Sequence, residues 1–425
     1  MLLKGLGMTV SFLLVPLMLD YLNPTRYGIW VTLNSTIGLF GFVELGLGQG
    51  MRNKFAEAVA VGDHRLARTY ISTAYALITG IVAVLFLVAI GVLPLLDWAD
   101  ILKVPSEMAN DILRLVLLVF SYFSLQMVFK LISVILTADQ KPAVGKSLDT
   151  IGSLISLGAV YLLSQFTEGS LWFLALAVCL SNLSVKALAT FWFFGTSYRK
   201  YLPSFRYVKL EYAKPLMGLG LQFFVMQFAG NIVFSTDNLI ITRLLGPDKV
   251  TPYSLSLKYF SLVMIFFNTV TLPLWSAYTE AYVKGELEWI QRVTQKFIRF
   301  WLLLVVVTVV MLFFAKTFFH WWVGDEVEVP FLLSVFMALF VLMRTWSDIF
   351  YYLMYGASKV KISLYVSLIA SIINIPLSVL LAGPGGMGIA GVILGTCLTI
   401  FPDIILAPVQ YLKIIRGTAK GLWNQ

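Results

Sequence analysis

The sequence predicts an all-α polytopic membrane protein, with about twelve transmembrane helices in two parallel six-helix bundles and both termini cytoplasmic. Three observations predict it. The composition is too apolar for water, the apolar runs recur at bilayer-crossing length, and the loops between them alternate in charge.

Hydrophobic side chains make up 59% of the 425 residues and charged ones 12%, half of the roughly 25% found in soluble domains. Such a chain cannot cover a water-facing surface, and a bilayer is the solvent that accepts it. The net charge of +9 does not point to nucleic acid, because the basic residues are scattered through short loops rather than gathered in one arm or stripe. Cys179 and Cys397 lie far apart in apolar stretches, and His64 and His320 fall in opposite halves. None has the spacing of a metal site, a disulfide framework or a nucleophilic dyad, so no metal and no cofactor is expected.

Runs long enough to cross about 30 Å at about 1.5 Å per residue fall near residues 3–21, 28–50, 70–96, 112–137, 147–166 and 171–195, then 214–245, 252–278, 297–322, 331–355, 361–381 and 388–412. The first carries Pro16, Asp20 and Tyr21 where a signal peptidase needs small residues, so it reads as a retained helix, although its abrupt start suggests a short missing leader. Arg52, Lys54, Arg65 and Arg68, then Lys141 and Lys146, Arg199 to Lys214, Lys284 to Arg299, Lys359 and Lys361, and Lys413 to Lys420 crowd one side. That side is cytoplasmic by the positive-inside rule. The other carries Arg26, Lys103, Arg114, Arg243, Lys249 and Lys316 together with acids such as Asp97, Asp100, Asp325 and Glu326, beside Trp98, Trp172, Trp321 and Trp322 as interface anchors. Only an even helix number preserves this alternation. The domain reading is an N-terminal bundle over 1–195, a basic cytoplasmic linker over 196–213 and a C-terminal bundle over 214–425.

The halves repeat weakly. Glu57 to Asp63 resembles Glu280 to Glu286, Tyr27 pairs with Tyr253, and Val104-Pro105 with Val329-Pro330. Six helices per half make the repeat parallel, an architecture that suits alternating access.

Ionisable residues inside apolar runs cost a few kcal/mol unless they face a cavity or a partner. The cations are Lys130, Lys186, Lys258 and Arg344; the acids are Glu44, Asp237, Asp348 and Asp403. Functionally, the cations are a cavity floor able to hold a diphosphate, Arg as a planar fork and Lys as a point charge. Structurally, Arg344 and Asp348 are an i, i+4 pair, Asp237 pairs with Lys258, and Glu44 neutralises Lys130. Lys186 has no evident local partner.

Gly386-Met-Gly388-Ile-Ala-Gly391 fits a dinucleotide fingerprint but follows no strand, and Val144 to Ser147 lacks the first glycine of a phosphate loop. Gly46/Gly50 and Gly391/Gly395 have the spacing of close helix packing. Pro16, Pro273, Pro376, Pro402 and Pro408 are tolerated kinks or bends for rocking.

Tyr27-Gly-Ile-Trp30, Glu44-Leu-Gly-Leu-Gly-Gln-Gly50-Met-Arg52-Asn53, Asp237 to Gly246 and Gly386 to Gly391 resemble the multidrug, oligosaccharidyl-lipid and polysaccharide (MOP) exporter superfamily, and most nearly its O-antigen repeat-unit flippases. The resemblance spans the whole chain, with Glu44 standing where relatives often carry Asp. It implies a MATE-like fold in a bacterial inner membrane and a non-enzymatic role: moving undecaprenyl-diphosphate-linked oligosaccharide to the outer leaflet, alongside polymerase and other assembly proteins. Lys130, Lys186, Arg344 and Lys258 then serve the diphosphate. Glu44, Asp237, Asp348 and Asp403 are coupling or structural acids, with H⁺, Na⁺ or membrane potential as motive force. The alternatives are a cation-coupled multidrug antiporter, which prefers an acidic lumen, and a membrane glycan polymerase or glycosyltransferase, which needs larger loops than these.

Overall fold

The computed structural model describes residues 2–38, 43–104, 108–214, 216, 236–271, 274–357 and 359–424, and among them every regular element is helical. It divides into two compact units, Met1–Phe228 and Ala229–Gln425. In the first lie α1 (Leu2–Leu22), α2 (Pro24–Gly38), α3 (Val43–Ala60), α4 (His64–Val92), α5 (Trp98–Ile101), α6 (Ala109–Phe129), α7 (Leu131–Ala138), α8 (Pro142–Phe166) and α9 (Leu171–Gly195). The second holds a helical segment at 236–245, then α10 (Val250–Thr271), α11 (Leu274–Val283), α12 (Leu287–Val323), α13 (Phe331–Gly356), α14 (Lys361–Ala382) and α15 (Gly388–Ile415).

Ten of these helices are long and apolar enough to cross a bilayer, and each answers to one of the twelve predicted runs. The other two runs are only partly described. Residues 39–42, between α2 and α3, and most of 214–235 lie outside the described set.

Hydropathy located the spans but misjudged their ends. α4 begins at His64 and α12 at Leu287, several residues before the apolar stretches, because polar residues continue a helix beyond the membrane surface wherever a turn starts it. Both starts use one turn. Gly62 and Gly285 adopt φ values of 77° and 74°, a region favoured by glycine because it has no Cβ. The amides of Val61, Gly62, Asp63 and His64 reach the carbonyls of Glu57, Val59, Ala58 and Gly62. Those of Lys284, Gly285, Glu286 and Leu287 reach Glu280, Tyr282, Ala281 and Gly285 in the same order. The weak sequence repeat is therefore a repeated hydrogen-bond pattern. Only the first copy adds a side-chain cap, Asp63 Oδ1 accepting from Leu66 N at 2.8 Å.

In the first unit, Met51 and Phe55 of α3, Ile71 and Ile78 of α4, and Leu131 and Ile135 of α7 share one buried cluster with Tyr201. The basic segment after α9 folds as three short 3-10 turns against α4. Leu202 O accepts from Arg68 Nε at 2.9 Å, and Lys209 N donates to Thr73 Oγ1 at 3.1 Å. Tyr201 bonds His64 Nδ1 at 2.9 Å and Tyr198 donates to Asp139 at 2.8 Å. Burial, with the Asp139 carboxylate beside it, pushes the Tyr198 phenol up.

In the second unit, Tyr253, Phe260 and Phe267 of α10 and Phe340 of α13 are fully buried. The Gly391/Gly395 pair lets α15 lie against α14. A Cβ at Gly391 would stand 2.6 Å from the Leu381 carbonyl carbon, and one at Gly395 2.6 Å from Ser378 Oγ. Close packing is what the spacing predicted.

Candidate functional site

The predicted charges sort into separate local settings. In the first unit, Lys186 of α9 is 5% exposed, and its Nζ lies 2.9 Å from Asp149 Oδ1 of α8. The partner is distant in sequence, which is why no local one was evident. The helices meet closely because Gly152, three residues after Asp149, has no side chain; a Cβ there would lie 2.7 Å from Asn182 Oδ1. Asn182 Nδ2 in turn donates to Ser156 Oγ at 3.1 Å. Asp149, Gly152 and Ser156 are spaced along one face of α8, and that polar stripe was the available signal. The Asp149 side chain itself is 60% exposed, so the pair is sheltered on one side and open on the other.

Lys130 does not sit inside a continuous helix. It joins α6 to α7, donating its backbone N–H to Gln126 O at 2.8 Å while its own carbonyl accepts from Ser133 N at 2.9 Å. The Glu44 side chain lies outside the described residues, so its pairing with Lys130 does too.

In the second unit, Arg344 and Asp348 form the expected i, i+4 pair, with Nε 3.5 Å from Oδ1. The arginine side chain stays 38% exposed and the aspartate 13%. Asp403, on α15, is buried and accepts a hydrogen bond from Tyr351 Oη of α13. Trp346 Nε1 ties the same two helices by donating to Ile404 O at 3.2 Å. Arginine carries five N–H donors. One guanidinium edge faces its carboxylate and the rest is available to an incoming anion.

Asp237, in the segment 236–245, is fully buried. The donors that reach it are Tyr253 Oη of α10 at 2.6 Å and Thr396 Oγ1 of α15 at 3.3 Å, rather than Lys258, the partner the sequence suggested. Thr396 accepts from Asn374 Nδ2 of α14 at 3.0 Å, so four segments converge on one carboxylate. Among the described residues, Asp237 Oδ1, Asn374 Oδ1 and Ser256 Oγ are buried without a hydrogen-bond partner. Buried polar atoms are normally satisfied, and orphans call for a reason. The set is all oxygen, the donor type of hard cations and of protons. Sequence reasoning named Asp237 but missed Asn374 and Thr396, uncharged polar residues in apolar helices. Their depth in a membrane span was the clue.

Comparison with known proteins bears on this arrangement. The family model MatE matches residues 223–380, a stretch that holds Asp237, Lys258, Arg344 and Asp348. An inward-facing multidrug-resistance MATE transporter of the MOP superfamily superimposes with a TM-score of 0.80 over 97% of this chain and 96% of its own, at 14% identity. An outward-facing multidrug-resistance MATE transporter of the same superfamily gives 0.66 over 98% and 94%, at 15% identity. A Yersinia pseudotuberculosis protein named for O-antigen export is 20% identical over 83% of this chain and 80% of its own. The chain is thus similar in fold, and over part of its sequence, to transporters of the MOP exporter superfamily. A Salmonella typhi relative named as an O-antigen transporter is 21% identical over 83% of this chain and 81% of its own. Ten candidate spans make the chain a multi-pass membrane protein, and among the described residues it has the all-helical fold the sequence predicted.

Proposed function

We propose that this chain is a MOP-type exporter that flips undecaprenyl-diphosphate-linked oligosaccharide repeat units from the cytoplasmic to the outer leaflet of a bacterial inner membrane by alternating access, for O-antigen or exopolysaccharide assembly. The observation that carries the reading is Arg344, a guanidinium in a membrane helix that remains over a third exposed beside its own carboxylate. Asp348 offsets part of the cost of this charge in a membrane helix, and a bound anion on its exposed side would offset more. A diphosphate suits it, since arginine binds phosphate oxygens in pairs.

The relatives named for O-antigen transport support the same cargo class. Lys186 is the counterpart in the first unit; its exposed partner Asp149 can be exchanged for an incoming phosphate. Lys130 and Lys258 are further candidates for the same anion. In this account the polyprenyl tail stays in lipid and only the polar head crosses. The polymerase and other assembly proteins act on the delivered product.

Asp237 is the proposed coupling acid, because its unpartnered oxygen lies deep in a four-segment cluster. It would hold H⁺ or Na⁺ in one stage of the cycle and release it in another. Asp348 and Asp403 serve mainly to hold Arg344 and Tyr351.

The test is export at normal expression. The Lys186→Gln/Arg344→Gln double variant is expected to lose surface polysaccharide while reaching the membrane in normal amount. Full export by that variant would remove the charge assignment. Drug resistance on overexpression without a polysaccharide phenotype would favour the multidrug antiporter instead.

A further inference from the structure

The helix α12 runs 37 residues, about 55 Å at about 1.5 Å per residue, well beyond the roughly 30 Å of a hydrocarbon core. Its buried face is marked by Ile290, Thr294, Leu304, Thr308 and Phe319. The opposite face is one stripe at alternating steps of four and three residues. It starts with Arg292, Lys296 and Arg299, all exposed, and continues through Leu303, Val306 and Val310 to Phe313, which is 82% exposed. Trp321, 79% exposed, closes it. Among the described residues of its unit nothing covers the apolar part, so in a membrane span it is placed to face lipid. Arg299 and Trp321 are about 33 Å apart along the axis by the helical rise, so they bracket the hydrocarbon. Arg292 and Lys296 then project about 5–10 Å farther out, at the depth of phospholipid headgroups.

Some basic residues of the same side are held in ion pairs. Lys54, Lys141, Lys209 and Lys284 each have an acidic partner, namely Glu57, Asp139, Glu211 and Glu280. Among the described residues, Arg292, Lys296 and Arg299 make no ion pair. Three uncompensated cations on one lipid-facing stripe at headgroup depth are complementary to anionic phosphodiesters.

We infer that Arg292, Lys296 and Arg299 form a binding site for anionic phospholipid headgroups, such as phosphatidylglycerol, in the leaflet on the basic side of the membrane. The occupant is a bulk lipid whose acyl chains lie along Leu303 to Phe313 while its phosphate meets the cations. It is distinct from the transported lipid diphosphate, and the site does not depend on the proposed cargo.

The experiment reconstitutes the full chain in phosphatidylcholine vesicles and measures the protein-restricted fraction of spin-labelled phosphatidylglycerol against spin-labelled phosphatidylcholine. The expected preference for phosphatidylglycerol is about three- to tenfold at low salt, on the scale of headgroup attraction to a few basic residues, and it shrinks as salt is added. Arg292→Gln/Lys296→Gln/Arg299→Gln abolishes it. The charge-conserving Arg292→Lys/Lys296→Arg/Arg299→Lys retains it, as does Lys316→Gln near the other end of the helix. No preference in the native chain overturns the inference. So does an undiminished preference in the neutral triple variant, or an equal loss in Lys316→Gln.

Discussion

At the scale of single residues, the structure assigns partners to charges, Lys186 among them, that the sequence left without one. Lys186 and Asp149 are a half-sheltered pair, and a double-mutant cycle in thermal unfolding is expected to show a coupling of about 0.5–3 kcal/mol. Lys186→Met/Asp149→Leu together is milder than Asp149→Leu alone, which leaves the buried Lys186 charge without its partner. Strictly additive effects would mean that the contact contributes nothing. Asp237→Asn keeps side-chain size and can still accept from Tyr253, but it removes the charge. It is expected to reduce transport at least about tenfold, the loss appropriate to an intramembrane acid with a functional role, while leaving the folded yield largely intact. Native transport with asparagine at 237 would make the cluster a purely structural one. Tyr253→Phe, which deletes one donor at 2.6 Å, should cost about 1–3 kcal/mol of stability, as for other hydrogen bonds to charged groups.

At the scale of elements, glycine positions set how helices start and how they pack. Replacing Gly285 by Ala forces a Cβ into a φ of 74°, a cost of about 1–2 kcal/mol, and the same is expected at Gly62. Gly391→Leu meets the backbone of α14 at 2.6 Å; overpacking of that kind costs about 1–3 kcal/mol or more. Thermal unfolding in detergent measures both, and an unshifted midpoint for Gly391→Leu would contradict the close approach. Helix identity was readable from the sequence because lipid imposes a simple demand, an apolar run of known length. Helix ends were less so. α12 starts ten residues before its apolar run because a glycine turn, invisible to hydropathy, initiates it. Pairings between helices were least readable: the approach of Asp149 to Lys186 depends on Gly152, and the Asp237 cluster draws on segments more than a hundred residues apart in sequence. Arg344 with Asp348 was readable because an i, i+4 relation is local.

At the scale of the whole molecule, two units each carry a membrane-embedded cation, Lys186 in one and Arg344 in the other, and the second also carries the buried acid cluster. Under the proposed function, anion binding falls to both units and coupling to one. Neutralising Asp237 should therefore slow the cycle without preventing substrate binding, whereas neutralising Lys186 and Arg344 should weaken binding itself. The most direct measurement loads purified undecaprenyl-diphosphate-linked oligosaccharide into one leaflet of proteoliposomes and follows its appearance in the other with a membrane-impermeant glycosidase. A lipid-linked oligosaccharide flippase should give protein-dependent translocation that Lys186→Gln/Arg344→Gln reduces to the rate of empty vesicles. Translocation no faster than in empty vesicles with the native chain, under an imposed H⁺ or Na⁺ gradient and membrane potential, would contradict it.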